Sequence, residues 1–309
     1  MMKGKLRALG QELKKNRALF LMILPAVLVV LVFSYLPMSG LVLAFKDYKF
    51  NLGIFKSPWH GLENFRFLFI SGVGWKITIN TILYNLLNLI TSQGLAILIA
   101  IVLSEMKVIP CKKTAQSVIF FPYFISWVIV GTFVYNIFNY ETGLMNSILT
   151  SLGSDPVNVY SMPWVWPIII CAFNAWKWCG SNSVVYIAAI TGVDTECYEA
   201  AEIDGANIFQ RIRHITLPAI KPTIITMLLL NVGRILRGDF EMFYQIVGNN
   251  GQLFNATDVI DTYVFRALTT SGNMGMTAAA TLYQSVLCFV IIVTVNAIVR
   301  RVDPDNALF

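Results

Sequence analysis

The 309-residue chain is 56% hydrophobic and only 13% charged, where soluble domains carry about 45–50% apolar and about 25% charged residues. A water-soluble fold is thereby excluded, and the length is to be counted in membrane spans of about 20 apolar residues. The formal net charge of +6 comes from bases scattered among apolar runs, not from a stripe beside base-stacking aromatics, so no nucleic-acid partner is implied.

Residues 1–17 carry Lys3, Lys5, Arg7, Lys14, Lys15 and Arg17 ahead of an apolar run from Ala18 to Phe45. That run exceeds the roughly 7–15 residues of a signal-peptide core and lacks a small-residue cleavage site, so it reads as a retained first span. Further apolar stretches run from about Trp75 to Leu103, Ala115 to Phe138, Trp164 to Gly192, Pro218 to Ile246 and Thr277 to Val299. Each is long enough to cross about 30 Å of hydrocarbon at about 1.5 Å per residue. The expected fold is an all-α polytopic membrane protein with six transmembrane helices, and the even number puts both termini on one side.

Bases concentrate before the first span, at Lys107, Lys112 and Lys113 between spans two and three, at Arg211 and Arg213 between spans four and five, and at Arg300 and Arg301 after span six. The positive-inside rule makes these segments cytoplasmic. The first outer loop, with Lys46, Lys49, Lys56 and Arg66, runs against that rule. The expected organisation is a cytoplasmic segment over 1–17, a transmembrane domain over 18–299 and a cytoplasmic tail over 300–309.

Cys111, Cys171, Cys179, Cys197 and Cys288 are odd in number and show no C-x-x-C spacing, which signals neither a disulfide framework nor a zinc site. His60 and His214 are far apart in sequence and offer no imidazole pair for a metal.

The informative segment lies between spans four and five, over about 193–217. It reads Tyr198-Glu199-Ala200-Ala201-Glu202-Ile203-Asp204-Gly205-Ala206 and continues through Phe209 to Ile215-Thr216-Leu217-Pro218. The pattern predicts two short helices broken at a glycine. Asp194 and Thr195 can cap the first, Glu196 and Glu199 suit its positive end, Gly205 permits the turn, and Pro218 opens the fifth span. Ala200 and Ala201 leave a thin face against which another protein can press. An ordinary interfacial helix would share the amphipathic character, but not the fixed spacing.

That spacing resembles the EAA motif of permeases in bacterial ATP-binding-cassette (ABC) importers: E-A-A, three residues, G, nine residues, I, one residue, L-P. Glu199, Ala200, Ala201, Gly205, Ile215, Leu217 and Pro218 fill every fixed position. Asp204-Gly205-Ala206, and Trp176-Lys177 before Tyr186-Ile187-Ala188-Ala189, look like the sugar-transporting branch. Asp258-Val259-Ile260-Asp261-Thr262-Tyr263-Val264 and the ending Asp303-Pro304-Asp305-Asn306-Ala307-Leu308-Phe309 look like permeases for oligosaccharides or polysaccharide fragments.

The resemblance implies a type I importer permease fold, a second permease subunit, an ABC ATPase dimer in the cytoplasm and a solute-binding protein outside. ATP and magnesium belong to the ATPase, since this chain has no G-x-x-x-x-G-K-[ST] loop to cradle phosphates. It also implies that Glu199, Ala200, Ala201, Asp204 and Gly205 couple the permease to that ATPase, with Glu199 facing a basic partner.

Polar residues inside the spans mark a candidate substrate path. Span four supplies Asn174, Lys177, Trp178, Asn182 and Tyr186. Met227, Asn231, Arg234, Gly238 and Glu241 of span five recur at three- and four-residue steps, which predicts one helix face. Pairing of Arg237 with Glu241, one turn on, is the competing structural use of these charges. A secondary transporter would also have polar spans, but the two halves show no repeat. A membrane-embedded enzyme would need a Ser/His pair, an H-E-x-x-H or an acidic metal cluster, and the spans contain none. An ABC permease for a non-sugar solute is the remaining alternative.

Overall fold

The computed structural model describes residues 15–70 and 72–302; the bases before residue 15 and the ending 303–309 lie outside the described residues. The described chain is helical throughout, its sole strand-like pairing being an isolated bridge between Lys46 and Trp59. Helix α1 (Arg17–Val30) passes through a π-helical turn, Leu31–Tyr35, into a 3-10 segment, Leu36–Phe45. Short helices α2 (Gly53–Lys56) and α3 (Glu63–Ile70) lead to α4 (Val73–Glu105), α5 (Ile109–Phe120), α6 (Trp127–Phe138) and α7 (Leu144–Ser151). Then come α8 (Trp166–Thr191), α9 (Thr195–Ile203), α10 (Ile208–Arg211) and α11 (Leu217–Val232). The last are α12 (Phe240–Val247), α13 (Phe254–Thr257), α14 (Ile260–Ser271) and α15 (Met274–Val302).

Among the described residues, four helical units are long and apolar enough to cross a membrane: Arg17–Phe45, Val73–Glu105, Ile208–Val232 and Met274–Arg301. A fifth is the bent pair Ile109–Phe124 with Trp127–Phe138. Helix α8, at 26 residues, reaches about 39 Å at 1.5 Å per residue and coincides with the predicted Trp164–Gly192 span, although it is more polar than these units. Its polar residues Asn174, Lys177 and Ser183 are buried, so this helix turns its polarity inward.

Helices α4 and α8 form the centre and run parallel. Tyr84 packs with Trp166, Ile169 and Ile170 at one end, and Ala96, Ala100 and Ile101 pack with Tyr186 and Ile190 toward the other. Between them the buried Tyr186 hydroxyl donates to Gln93 Oε1 at 2.8 Å. Lipid tails are as apolar as leucine, so helices in a bilayer associate through close packing and such interhelical hydrogen bonds. The unit Arg17–Phe45 has no buried residue in its most apolar window; only its 3-10 end packs on the body, against α15.

Two predicted spans are not straight helices. The third breaks at Ile125-Ser126 with a 94° bend, where Pro122 tightens the chain into a 3-10 turn and Ser126 caps α6. The fifth starts earlier and ends earlier than its apolar run: a π-helical turn, Ile212–Thr216, joins α10 to α11 in one rod, Ile208–Val232. The second half of the Gly205-broken pair is thus the base of the span itself, and Pro218 lies inside the rod. Lys46, which broke the charge rule, is 4% exposed and donates to Ile54 O at 3.1 Å and Phe55 O at 2.6 Å. It satisfies the carbonyls of α2, a local role that overrides a topological one.

Gly180 of α8 lies where α5 crosses it. A Cβ there would sit 2.1 Å from Ile119 O and 2.8 Å from Phe120 Cα, both backbone atoms that cannot rotate aside. Gly180→Val is expected to destabilise the fold by at least the ~1–3 kcal/mol typical of overpacking, seen as a lowered melting temperature in detergent. Gly94→Ala, where a Cβ meets nothing within 4 Å, is the control and does not lower it, since alanine favours a helix interior over glycine.

Candidate functional site

Two regions carry chemistry. The first is the loop about α9. Asp194 caps the helix by accepting from Glu196 N–H at 3.0 Å, and Glu196 sits in its positive first turn. The helix closes by a paired backbone exchange: Ala206 N–H donates to Ala201 O at 2.8 Å and Gly205 N–H to Glu202 O at 3.1 Å. That geometry needs a left-handed residue one place past the cap, and Gly205 supplies it with φ +78°. Asn207 and Gln210 then cap α10 reciprocally, Gln210 N–H donating to Asn207 Oδ1 at 3.0 Å and Asn207 N–H to Gln210 Oε1 at 2.7 Å.

The result is a helical hairpin tied back by Tyr198 Oη to Thr216 Oγ1 at 3.0 Å. Glu199, Ala200, Asp204 and Gly205 are exposed and Ala201 is half-buried, so each predicted coupling residue is at least partly accessible. Ile203, 87% exposed, and Phe209, 79% exposed, add two apolar knobs to the hairpin. Both stand inside the motif, but a hydrophobic residue in an apolar chain carries no signal of exposure.

The second region is a cavity of about 560 Å³ between α4, α8 and the segment after α11. Asn174, Trp178 and Asn182 line it from α8, with Asn231 and Arg234 facing them across it. Lys177 does not line it. Its ammonium is buried, donates to Tyr123 O at 3.1 Å and to Ile125 O, and lies 5.2 Å from the Trp127 ring. It satisfies carbonyls freed by the break before α6. The sequence reading missed Asn85, Asn88 and Ser92 of α4, which also line the cavity. Their three- and four-residue steps were visible, but a strongly apolar span invites counting by hydropathy alone.

The expected single face Met227-Asn231-Arg234-Gly238-Glu241 does not exist. The helix stops at Val232, residues 233–236 form turns, 237–239 are irregular, and Glu241 belongs to α12. Met227 packs in the apolar α4–α8 cluster, and no Arg237–Glu241 ion pair forms among the described residues. The unwound backbone is held from outside: Asn85 Nδ2 donates to Ile235 O at 2.9 Å, Gln284 Nε2 to Leu236 O at 2.6 Å, and Asp261 Oδ2 accepts from Gly238 N–H at 2.7 Å. Asp239 caps α12 through Met242 N–H at 3.1 Å and accepts from Trp127 Nε1 at 2.9 Å. Both its oxygens are thereby bonded.

That arrangement presents Arg234 and Arg237 to the cavity with no ion-pair or hydrogen-bond partner for either side chain among the described residues. Asn88 Oδ1, also at the wall, is a buried acceptor without a donor. No group of three or more His, Cys, Asp or Glu that could hold a metal ion occurs among the described residues.

Residues 16–304 match the family of inner-membrane components of binding-protein-dependent transport systems. The chain belongs to this family. It is 34% identical to Protein LplB of Bacillus subtilis over 95% of this chain and 92% of that one. It is 33% identical to the polygalacturonan/rhamnogalacturonan transport system permease protein YteP of Bacillus subtilis, over 98% and 94%. Among solved structures, a chain of a bacterial ABC transporter involved in the import of the acidic polysaccharide alginate superposes with a TM-score of 0.86 at 33% identity, covering 96% of this chain and 99% of that one. As a permease of this family the protein is a transport subunit of the bacterial inner membrane and not an enzyme; ATP hydrolysis resides in a separate subunit.

For the permease loop, Glu199→Lys reverses a charge on the exposed surface, and Gly205→Pro removes both the positive φ and the N–H given to Glu202 O. Each is expected to leave the protein inserted while lowering uptake at least tenfold. Uptake, together with recovery of the ATPase on the purified permease, checks this; wild-type uptake in either variant would sink the role of the loop.

Proposed function

We propose that this permease forms the channel of an ATP-driven importer for carboxylate-bearing oligosaccharides, spanning the membrane six times with both termini in the cytoplasm. It pairs with a second permease, an ABC ATPase dimer and an extracellular solute-binding protein. The observation that carries the substrate reading is the Arg234 guanidinium at the cavity, with no ion-pair or hydrogen-bond partner among the described residues; Arg237 stands beside it, within electrostatic reach of the Asp261 carboxylate. A charge at membrane depth costs roughly 3 kcal/mol on insertion scales and normally faces a partner or a polar passage. Arginine meets a carboxylate through two parallel N–H···O bonds, the amides of Asn174, Asn182 and Asn231 at the wall suit sugar hydroxyls, and the flat Trp178 ring suits the apolar face of a pyranose. YteP is named for a polygalacturonan/rhamnogalacturonan system and the solved neighbour serves alginate, which supports an acidic glycan.

The six-span reading counts the bent α5–α6 pair and the polar α8 with the four apolar units. Lys107, from the link after α4, and Lys112, at the start of α5, line one cavity with Thr195 and Arg211 of the loop. The two basic loops thus share a side, which supports the inward assignment. ATP-driven closure of the ATPase dimer would shift α9 and, through the rod beginning at Ile208, the unwound segment beside the cavity. This is alternating access, in which ATP binds one of two states more tightly.

Two measurements test the proposal. An oligogalacturonate is expected to bind the purified permease–ATPase complex, without binding protein, at least tenfold more tightly than its fully methyl-esterified form, as charge-assisted bonds predict. Arg234→Gln with Arg237→Gln erases the preference while the complex stays assembled. Equal affinity for both glycans would remove the acidic class, and loss of assembly would assign the arginines to the second permease. For topology, a cysteine at Asp155 should react with an impermeant thiol reagent in intact cells, and one at Lys5 only in opened membranes; the reverse would overturn the orientation.

A further inference from the structure

At the base of the rod, Arg211 is the one residue described as joining three elements by charge. Its Nη2 lies 3.2 Å from Glu105 Oε2, at the end of α4, and its Nη1 lies 3.7 Å from Glu202 Oε2, on α9. The Arg211 and Glu105 side chains are only 15% and 21% exposed, whereas Glu202 is 66% exposed. The guanidinium's Nε is buried without a partner, so the group is kept in this place despite an unsatisfied donor. Such a donor costs free energy, which points to a geometric need.

Chain connectivity shows what that need is. The α9 hairpin is covalently continuous with α8 on one side and the rod on the other, but α4 ends at Glu105 and continues into α5. Apolar contacts also join these elements, since Ile212 packs against the Ala96-Ala100-Ile101 cluster. Apolar contact is non-directional and permits sliding, whereas the Arg211 guanidinium is hydrogen-bonded at one corner to Glu105 and attracted at the other to Glu202, which favours one separation and orientation of the elements. Helix α4 carries Asn88 to the cavity wall, 17 residues before Glu105, or about 26 Å at 1.5 Å per residue. A helix of that length acts as a lever, provided its foot is gripped.

We infer that Arg211 is a positioning residue that clasps the foot of α4 to the coupling helix, so that displacement of α9 moves the α4 wall of the cavity together with the rod. This rests on the reading of α9 as the element that docks the ATPase. Glu105 is the fixed half of the clasp, being the closer and more buried carboxylate. Glu202, farther and exposed, orients the fork.

The test uses the complete importer, with ATPase and binding protein, in proteoliposomes, and reads ATP hydrolysed per substrate imported. Arg211→Gln and Glu105→Gln are each expected to raise that ratio about three- to tenfold, with the double variant no worse than either, as coupled partners require. Arg211→Lys, which keeps the charge but not the fork, falls between. Recovery of the ATPase with the purified permease, lost on Glu199→Lys and unchanged in the Arg211 and Glu105 variants, keeps the docking reading separate; full recovery with Glu199→Lys would remove that reading instead. With the ATPase recovered, a wild-type ratio in Arg211→Gln, or additive effects in the double variant, overturns the clasp. So does loss of transport caused only by dissociation of the complex.

Discussion

Hydrocarbon offers no water to bond backbone amides, so each N–H and C=O at membrane depth needs a partner within the protein. The interruption at 233–239 exists only because other elements meet that demand. Asn85 reaches Ile235 O from α4, Gln284 reaches Leu236 O from α15, and Asp261 receives Gly238 N–H from α14. Within the segment, tight turns such as Arg237 N–H to Arg234 O at 2.8 Å take up further groups. The unwinding turns Arg234 and Arg237 toward the cavity instead of leaving them to follow a helix stripe. Remove the three supporting side chains and the same residues would have to return to helix, closing the polar wall.

The same demand explains the buried lysines. Lys177 and Lys46 both occupy interior positions, and both spend their ammonium on helix-end carbonyls, at Tyr123 and Ile125 in one case and Ile54 and Phe55 in the other. A compact ammonium with three donors suits a cluster of carbonyls. The arginines at the cavity carry a planar fork instead, and that fork matches a carboxylate. Residue choice thus separates cations that hold the fold from cations that face the passage.

At the other end of the rod, the fixed intervals of the EAA pattern have a direct geometric cause. The helix can close on Ala201 and Glu202 only if a residue able to take φ near +78° stands at 205. The following cap at Asn207 sets where the rod begins. One residue more or less in this stretch would rotate the exposed face of Glu199 and Ala200 by about 100° relative to the rod, since an α-helix has 3.6 residues per turn. The proposed docking role would not tolerate that, and the Arg211 contacts with Glu105 and Glu202 lie beside this surface.

Composition and periodicity by themselves determined a membrane class, and the seven fixed positions of the EAA pattern determined the family and the turn at Gly205, because hydropathy and glycine's backbone freedom act locally. The span positions of Asn174, Trp178, Asn182, Asn231 and Arg234 were legible for the same reason: a polar group in an apolar run is conspicuous. What only the tertiary structure decided is which of them face the cavity. Lys177 looked identical to Arg234 as a charge in a span, yet its partners are carbonyls some fifty residues away in sequence. The break after Val232 falls where Gly233, Arg234, Arg237, Gly238 and Asp239 interrupt the apolar run, but their three- and four-residue steps let them be read as one helix face, while the groups that permit unwinding, Asn85, Asp261 and Gln284, come from three other helices. Hydrogen-bond satisfaction across helices is a property of the assembled bundle, and no window of sequence contains it.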